Sequence, residues 1–262
     1  MAAPKEFETA SGSPPLALVT GAARRIGAAL ARTLAEEGFR LALHYNSSRA
    51  EAQELAAELA AEGHPEPLVI QQELMAPDAA DSLFARLPSP PQILVNNASL
   101  FEEDRLGAVD RSIWERQMAV NLAAPALLID RFARALPEGA NGLVVNLGDA
   151  KLAAPNPDFF SYTISKFGLA GLTEVAAQAL APRIRVNMIN PAITLLSGEQ
   201  NRANFEAAHV RNALHRGVRT EDLARALRFL IQTPTITGQT LTIDSGQRFL
   251  ALPRDVAYMV AS

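Results

Sequence analysis

The chain has 262 residues and no cysteine. Disulfide staples and thiolate nucleophiles are therefore excluded, and the absence fits a cytoplasmic protein. Lysine is scarce (Lys5, Lys151, Lys166) and so is tyrosine (Tyr45, Tyr162, Tyr258), so a pattern that uses both stands out. No apolar run approaches ~18 residues, which leaves no candidate transmembrane helix. The formal net charge of −4 carries no basic excess of the kind a nucleic-acid binder shows. His44, His64, His209 and His215 lack a metal-ligand spacing, so no metal site is expected, and they read as ordinary loop or helix residues. Residues 1–15 lack the apolar core of a secretory signal, and their Ser, Gly and Pro content predicts a loose, flexible tail. The whole chain is 48% hydrophobic and 20% charged, which suits one large α/β domain over 16–262.

Short apolar runs alternate with helical stretches along that domain. Leu16 to Thr20 reads as a strand, followed by Gly21-Ala22-Ala23-Arg24-Arg25-Ile26-Gly27 and a helix that Gly38 ends. Strand, glycine-containing turn and helix form the phosphate-binding arrangement of a dinucleotide fold. Gly21 permits the tight turn and Gly27 the close helix packing. The middle glycine such turns usually carry is missing, and Arg25 stands there.

Phe39 to Tyr45 is the second strand, and the residues just beyond its end select the cofactor. An NAD site needs a carboxylate here for the adenosine ribose. The residues are instead Asn46, Ser47, Ser48 and Arg49. Hydroxyls, an amide and a cation, with Arg25 nearby, suit the 2′-phosphate of NADPH. Ser47 or Ser48 also reads as the cap of a helix from Arg49 to Glu62. Further strands are expected at 67–71, followed by Glu73-Leu74, and at 93–95, ending in Asn96-Asn97-Ala98-Ser99-Leu100-Phe101. Residues 111–136 read as one long helix with Asn121 inside it. That amide is either a buried, satisfied group or one that kinks the helix and holds a water.

The stretch from Gly142 to Ala170 organises the chain. A buried strand, 143–147, leads through Asp149 and a Pro-rich loop to a helix carrying Tyr162 and Lys166. Positions i and i+4 share a helix face, so the phenol and the ammonium point the same way. The ammonium is expected to pull the phenol pKa down from its reference near ~10, making it a proton donor at neutral pH. A sixth strand, 184–190, ends in Pro191-Ala192-Ile193-Thr194. Residues 197–215 read as a mobile helical flap, 220–231 as an amphipathic helix capped by Thr220, and 239–243 as a last strand before Asp244-Ser245-Gly246. The alternation predicts a Rossmann-type, doubly wound parallel sheet of about seven strands with helices on both faces.

Together, Thr20-Gly21…Gly27, Asn96-Asn97-Ala98, Asn121, Tyr162-x-x-x-Lys166, Asn190-Pro191 and Asp244-Ser245-Gly246 resemble the short-chain dehydrogenase/reductase family over nearly the whole chain. The resemblance implies hydride transfer from a nicotinamide cofactor, catalysis by Tyr162 and Lys166 with Asn121 behind them, and a homotetramer. It also implies cofactor contacts from Gly21, Arg25, Ile26, Gly27, Tyr45, Asn46, Ser47, Ser48, Leu74, Asn97, Ala98, Ser99, Tyr162, Lys166 (on the nicotinamide ribose), Pro191 and Thr194.

Two departures narrow the match. Arg25 replaces a glycine, and Asp149 stands where most members have a catalytic serine. Both are shared by pteridine reductases and the similar dihydromonapterin reductases, which the chain also resembles in Leu43-His44-Tyr45, Asn97-Ala98-Ser99 with Phe101, Asp149-Ala150 and Gly246-Gln247. That subgroup implies a pterin stacked on Phe101, Ser99 touching both ligands, and Asp149 acting with Tyr162 on the substrate. Other departures are Glu73 for an Asp, Ala192 for a Gly, and Ser47 for an Arg that Arg49 could offset. Two other readings stay open: a carbonyl reductase of acyl or sugar ketones, and a non-catalytic NADP-binding regulator.

Overall fold

The computed structural model describes residues 4–7, 12–196 and 201–260. Seven parallel strands form one sheet: β1 (Leu16–Val19), β2 (Arg40–Tyr45), β3 (Leu68–Gln71), β4 (Ile93–Asn96), β5 (Gly142–Leu147), β6 (Ile184–Pro191) and β7 (Thr240–Ile243). Their order is β3-β2-β1-β4-β5-β6-β7. The helices are α1 (Arg25–Glu36), α2 (Arg49–Ala61), α3 (Ala79–Phe84), α4 (Arg111–Met118), α5 (Ala124–Ala135), α6 (Phe160–Leu180), α7 (Arg202–His209) and α8 (Thr220–Gln232).

Alternation along the strands decides which side chains meet which helices. On β1, Ala17 and Val19 join α1, α2 and α8 in one apolar core, around Leu30, Leu34, Leu59 and Leu227. Leu16 and Leu18 turn to the other core, where Leu83, Leu128 and Phe132 of α3 and α5 pack with Ala176 of α6. Both faces of the sheet are covered, so its central strands are mostly apolar, and the polar exceptions are paired, as where Asn96 Nδ2 on β4 donates to Asn146 Oδ1 on β5 at 2.9 Å. A fully buried ring such as Phe132 contributes about 1.5–3 kcal/mol from apolar transfer alone.

Three local expectations need correction. Residues 5–7 form a short 3-10 turn that is held rather than loose. Phe7 is fully buried edge-on against Phe39, at 5.5 Å between ring centres, and both Glu6 carboxylate oxygens accept from Arg185, at 3.0 and 3.1 Å. The helix expected over 111–136 is broken by a π-helical turn, Ala119–Ala123, between α4 and α5. The cap of α8 is Arg219, whose backbone N–H donates to Asp222 Oδ2 at 2.9 Å, and not Thr220. Among the described residues no helix is long and apolar enough to cross a membrane, and no group of His, Cys, Asp or Glu could hold a metal.

The strand order places β2 and β4 on either side of β1, so the connections diverge there and open a crevice at the carboxyl ends. The site lies in that crevice.

Candidate active site

At the end of β1 the Thr20 hydroxyl donates to the Val95 carbonyl and accepts from the N–H groups of Asn97 and Ala98, at 3.0 and 3.1 Å. Asn97 Nδ2 donates in turn to the carbonyls of Thr20 and Gly21, at 3.0 and 2.9 Å. The β1 and β4 turns are thus locked together by short polar side chains. Gly21 lies at φ 61°, and a Cβ on Gly27 would fall 2.1 Å from the Gly21 oxygen. Only glycine lets α1 approach its strand this closely. Arg25 has φ 57°, the left-handed conformation that the missing glycine would adopt freely. Its guanidinium donates to the Leu196 carbonyl and, at 3.3 Å, to that of Leu195, so it spans the groove from the turn to the segment after β6.

After β2, Ser48 occupies the capping position of α2 but its hydroxyl makes no capping bond, against the expectation that Ser47 or Ser48 caps this helix. Asn46 Nδ2 donates to Glu73 Oε2 at 2.9 Å, and Glu73 Oε1 accepts from the Met75 N–H. His44, read from sequence as an ordinary loop or helix residue, is a buried strand residue whose ring bonds the Gly21 N–H.

The catalytic candidates converge at the end of β5. The Tyr162 hydroxyl donates to Asp149 Oδ2 at 2.7 Å, and Asp149 Oδ1 caps the following turn by accepting from the Lys151 N–H. Lys166 Nζ is buried and donates to the Leu147 carbonyl at 2.8 Å. Its position, 5.6 Å from the centre of the Tyr162 ring, is the shared helix face that the spacing predicts.

The electrostatics differ from expectation. The Tyr162 pKa is held well above the usual phenol value, by burial first and then by the Asp149 carboxylate. Burial removes the water that would solvate phenolate, and the carboxylate repels it, so the protonated phenol is favoured. Burial lowers Lys166 to about 8, opposed by attraction to Asp149.

Asn121 sits in the π-helical turn, so the kink is present. Its side chain is wholly committed, however. Oδ1 accepts from the Leu100 N–H at 2.8 Å and the Ser99 hydroxyl at 3.1 Å, and Nδ2 donates to the Leu100 carbonyl at 2.9 Å and to Ser165 Oγ at 3.0 Å. An amide has two donors and two acceptor sites, and all four are used. The satisfied reading of Asn121 holds, and its side chain has no bond to spare for a relay water.

The residues that the family resemblance implies for cofactor and substrate border one cleft of about 1260 Å³ with Asn121 behind it, whereas Arg49, expected at the 2′-phosphate, is not on its wall. That volume exceeds the ~300–1,000 Å³ of pockets for single drug-sized ligands, leaving room for a dinucleotide and a second small molecule.

The substrate end has walls that sequence reasoning missed. Phe101 stacks on Phe159 at 4.1 Å and meets Tyr162 edge-on at 4.7 Å. Tyr258 stacks on the same Phe159 at 6.0 Å and donates to Glu103 at 2.8 Å. Arg254 Nε donates to both oxygens of buried Asp158, at 2.8 and 2.7 Å, and Asp158 also accepts from the Asp255 N–H. The C-terminal segment, from Gln247 to Tyr258, lines this cleft. The flap contributes α7, tied to that segment by Asn204 Nδ2 donating to the Ala257 carbonyl at 2.9 Å. Residues 197–200 of the expected flap lie outside the described residues.

The family model described as Enoyl-(Acyl carrier protein) reductase matches residues 21–248. The chain belongs to the short-chain dehydrogenase/reductase family. Among its relatives, pteridine reductase 1 of Leishmania tarentolae is 30% identical, over 91% of this chain and 98% of that protein. A 3-oxoacyl-[acyl-carrier-protein] reductase of Synechocystis sp. is also 30% identical, over 88% of this chain and 96% of that protein. The crystal structure of FolM alternative dihydrofolate reductase 1 from Brucella canis, complexed with NADP, matches with a TM-score of 0.85 and 40% identity, over 90% of this chain and 95% of that one.

A short-chain dehydrogenase/reductase uses a nicotinamide dinucleotide, and the groove fits one. A Cβ on Gly21 or Gly27 would strike the Ala98 backbone or the Gly21 oxygen, so a tight cradle of bare backbone stands at the turn. The Arg25, Ile26 and Gly27 amides open α1 and point their partial positive charge at that cradle. No carboxylate follows β2 directly, and the uncommitted Ser48 hydroxyl faces the same groove.

Proposed function

We propose that this short-chain dehydrogenase/reductase reduces a dihydropterin to a tetrahydropterin with NADPH. The observation that carries the reading is the bond from the Tyr162 hydroxyl to Asp149 Oδ2, 2.7 Å long, where most of the family places a serine. A ketone oxygen gains negative charge during reduction and needs neutral donors, and a carboxylate beside it opposes that charge. A pterin ring instead presents amino and ring N–H donors that a carboxylate accepts. The similarity to pteridine reductase 1 supports the same substrate class.

Bound NADPH supplies the hydride for the carbon of a ring C=N bond. Tyr162, kept protonated by burial and by Asp149, holds the proton that the adjacent nitrogen must gain. Releasing it leaves phenolate beside Asp149, so the Lys166 ammonium has to be present to offset the two negative groups. Phe101, half exposed and backed by Phe159, offers a ring face to a flat heterocycle, and the Ser99 hydroxyl keeps acceptor capacity at the boundary between the ligands. The Ser47 and Ser48 hydroxyls, on the cleft wall after β2, receive the 2′-phosphate with Arg49 next to them in the chain, and the assembly is a homotetramer.

A second reading, reduction of a 3-oxoacyl thioester, is favoured by the Synechocystis relative at the same identity. Following NADPH oxidation with dihydrobiopterin, dihydromonapterin, dihydrofolate and a 3-oxoacyl thioester separates the two. Turnover of at least one dihydropterin is the expected result, and turnover of the thioester alone overturns the proposal. NADPH binding with no turnover of any substrate points to a regulator. Equal kcat/KM with NADH removes the assignment of the 2′-phosphate site.

A further inference from the structure

His44 lies on β2 with its ring almost fully buried, and the mechanism above makes no use of it. Its partners are specific. Nδ1 accepts from the Gly21 N–H at 3.1 Å, and Nε2 donates to the Gln72 carbonyl at 2.8 Å. The His44 backbone carbonyl accepts from the Ala22 N–H at 2.9 Å. One residue therefore holds two successive amides of the phosphate-binding turn. Asn97 Nδ2 holds the carbonyl of Gly21 from the opposite side, at 2.9 Å. The Gly21 peptide is clamped at both ends, and α1 starts against its oxygen. The second ring partner, Gln72, precedes Glu73, which organises Asn46 and Met75 at the other wall of the groove.

We propose that His44 is a positioning residue that couples the phosphate-binding turn to the β3 wall of the dinucleotide groove and so sets the affinity for NADPH. The inference rests on the reading that the groove holds that dinucleotide.

The two ring bonds require one neutral tautomer, with the proton on Nε2. A protonated ring would present an N–H to the Gly21 N–H and break the clamp. Burial lowers the His44 pKa to about 4, which keeps the ring neutral. The charged groups nearest it oppose each other. Arg86, whose guanidinium donates to the Gln71 carbonyl and to Gln72 Oε1, disfavours a second positive charge, and Glu73 favours one. The N–H groups of Gly21 and Ala22 are both bonded inside the protein, so the pyrophosphate is left with the amides that open α1. Their aim depends on where the clamp holds the turn.

The test is NADPH titration of wild type, His44→Phe and His44→Gln by cofactor fluorescence, with steady-state kinetics alongside. Phe keeps the bulk and removes both ring bonds, and Gln restores a donor and an acceptor on one side chain. The expected result is an NADPH Kd raised at least about tenfold in His44→Phe, the loss of one charge-free clamp bond or more. Partial recovery is expected in His44→Gln, with kcat at saturating NADPH within about twofold of wild type. A side chain that served only stability would lower Tm and leave Kd alone. An unchanged Kd in folded His44→Phe overturns the inference and leaves the NADPH reading standing. A wild type that binds no NADPH removes both. Should His44→Phe not fold, the ring nitrogens of ¹⁵N-histidine-labelled wild type decide: a proton on Nδ1, or titration between pH 5 and 8, overturns the clamp.

Discussion

The two ends of the cleft are built by different means. At the dinucleotide end the contacts come from turns at the tips of β1, β2 and β4, held by side chains only a few residues from those strands: Thr20, His44 and Asn97. At the substrate end the walls come from loops far apart in the chain. Phe101 stands after β4, Phe159 before α6, and Tyr258 on the C-terminal segment, and they meet as stacked rings. The first end is fixed by the sheet, which can present one backbone geometry. The second is fixed by ion pairs and ring contacts such as Arg254 with Asp158, which can vary without disturbing a strand. A shared cofactor and a variable substrate within one family are what that division of labour permits.

Substitutions at the two ends should therefore fail differently. Tyr162→Phe, at the junction, has the largest expected effect, a fall in kcat of about 10²–10⁴ with every substrate, because the proton donor is gone. A loss confined to KM would show that the proton comes from elsewhere. Asp149→Ser is next. Its kcat/KM for dihydropterin is expected to fall on the order of 10², while 3-oxoacyl turnover holds or rises, and equal activity toward dihydropterin would return the chain to the ketone reductases.

The pH profile sharpens the same comparison. Lys166 carries its charge below about 8 and loses it as pH rises through that value, so kcat/KM should decline on the alkaline side there. Asp149 favours the ammonium, so in Asp149→Ser the decline should begin at lower pH. An alkaline limb that does not move would separate Lys166 from Asp149.

Gly27→Ala probes the dinucleotide end. A methyl 2.1 Å from the Gly21 oxygen must displace backbone, at a cost of roughly 1–3 kcal/mol. The expected signature is a weaker NADPH KM by the same factor for all substrates and a Tm lower by a few degrees. A change that differs between substrates would blur the division between the two ends. Arg254→Ala has the smallest expected effect. It removes the partner of Asp158 at the substrate end and should raise substrate KM by at most about fivefold, with NADPH KM unchanged.

Much of the dinucleotide end was legible because its residues are local. Gly21, Gly27 and the missing carboxylate after β2 act within one strand-turn-helix unit, and the i, i+4 spacing of Tyr162 and Lys166 is a property of any helix. The Tyr162 pKa was not legible, since spacing places the ammonium but reports neither burial nor the carboxylate at 2.7 Å. Nor was the state of Asn121, whose four bonds depend on where the 99–100 turn and Ser165 lie. His44 was misread because a histidine in an apolar run gives no hint of the amide it meets. Nothing in the local pattern of Phe159, Arg254 or Tyr258 marks them as cleft residues.

Sequence alone determined the alternation of strands and helices, the glycine positions that a phosphate turn demands, and the helix face on which phenol and ammonium sit, because each is set by backbone geometry over a few residues. The tertiary structure decided which proton Tyr162 keeps, which bonds Asn121 and His44 make, and which distant loops wall the substrate end. Those depend on burial and on partners brought together across the sheet, and neither is written in local spacing.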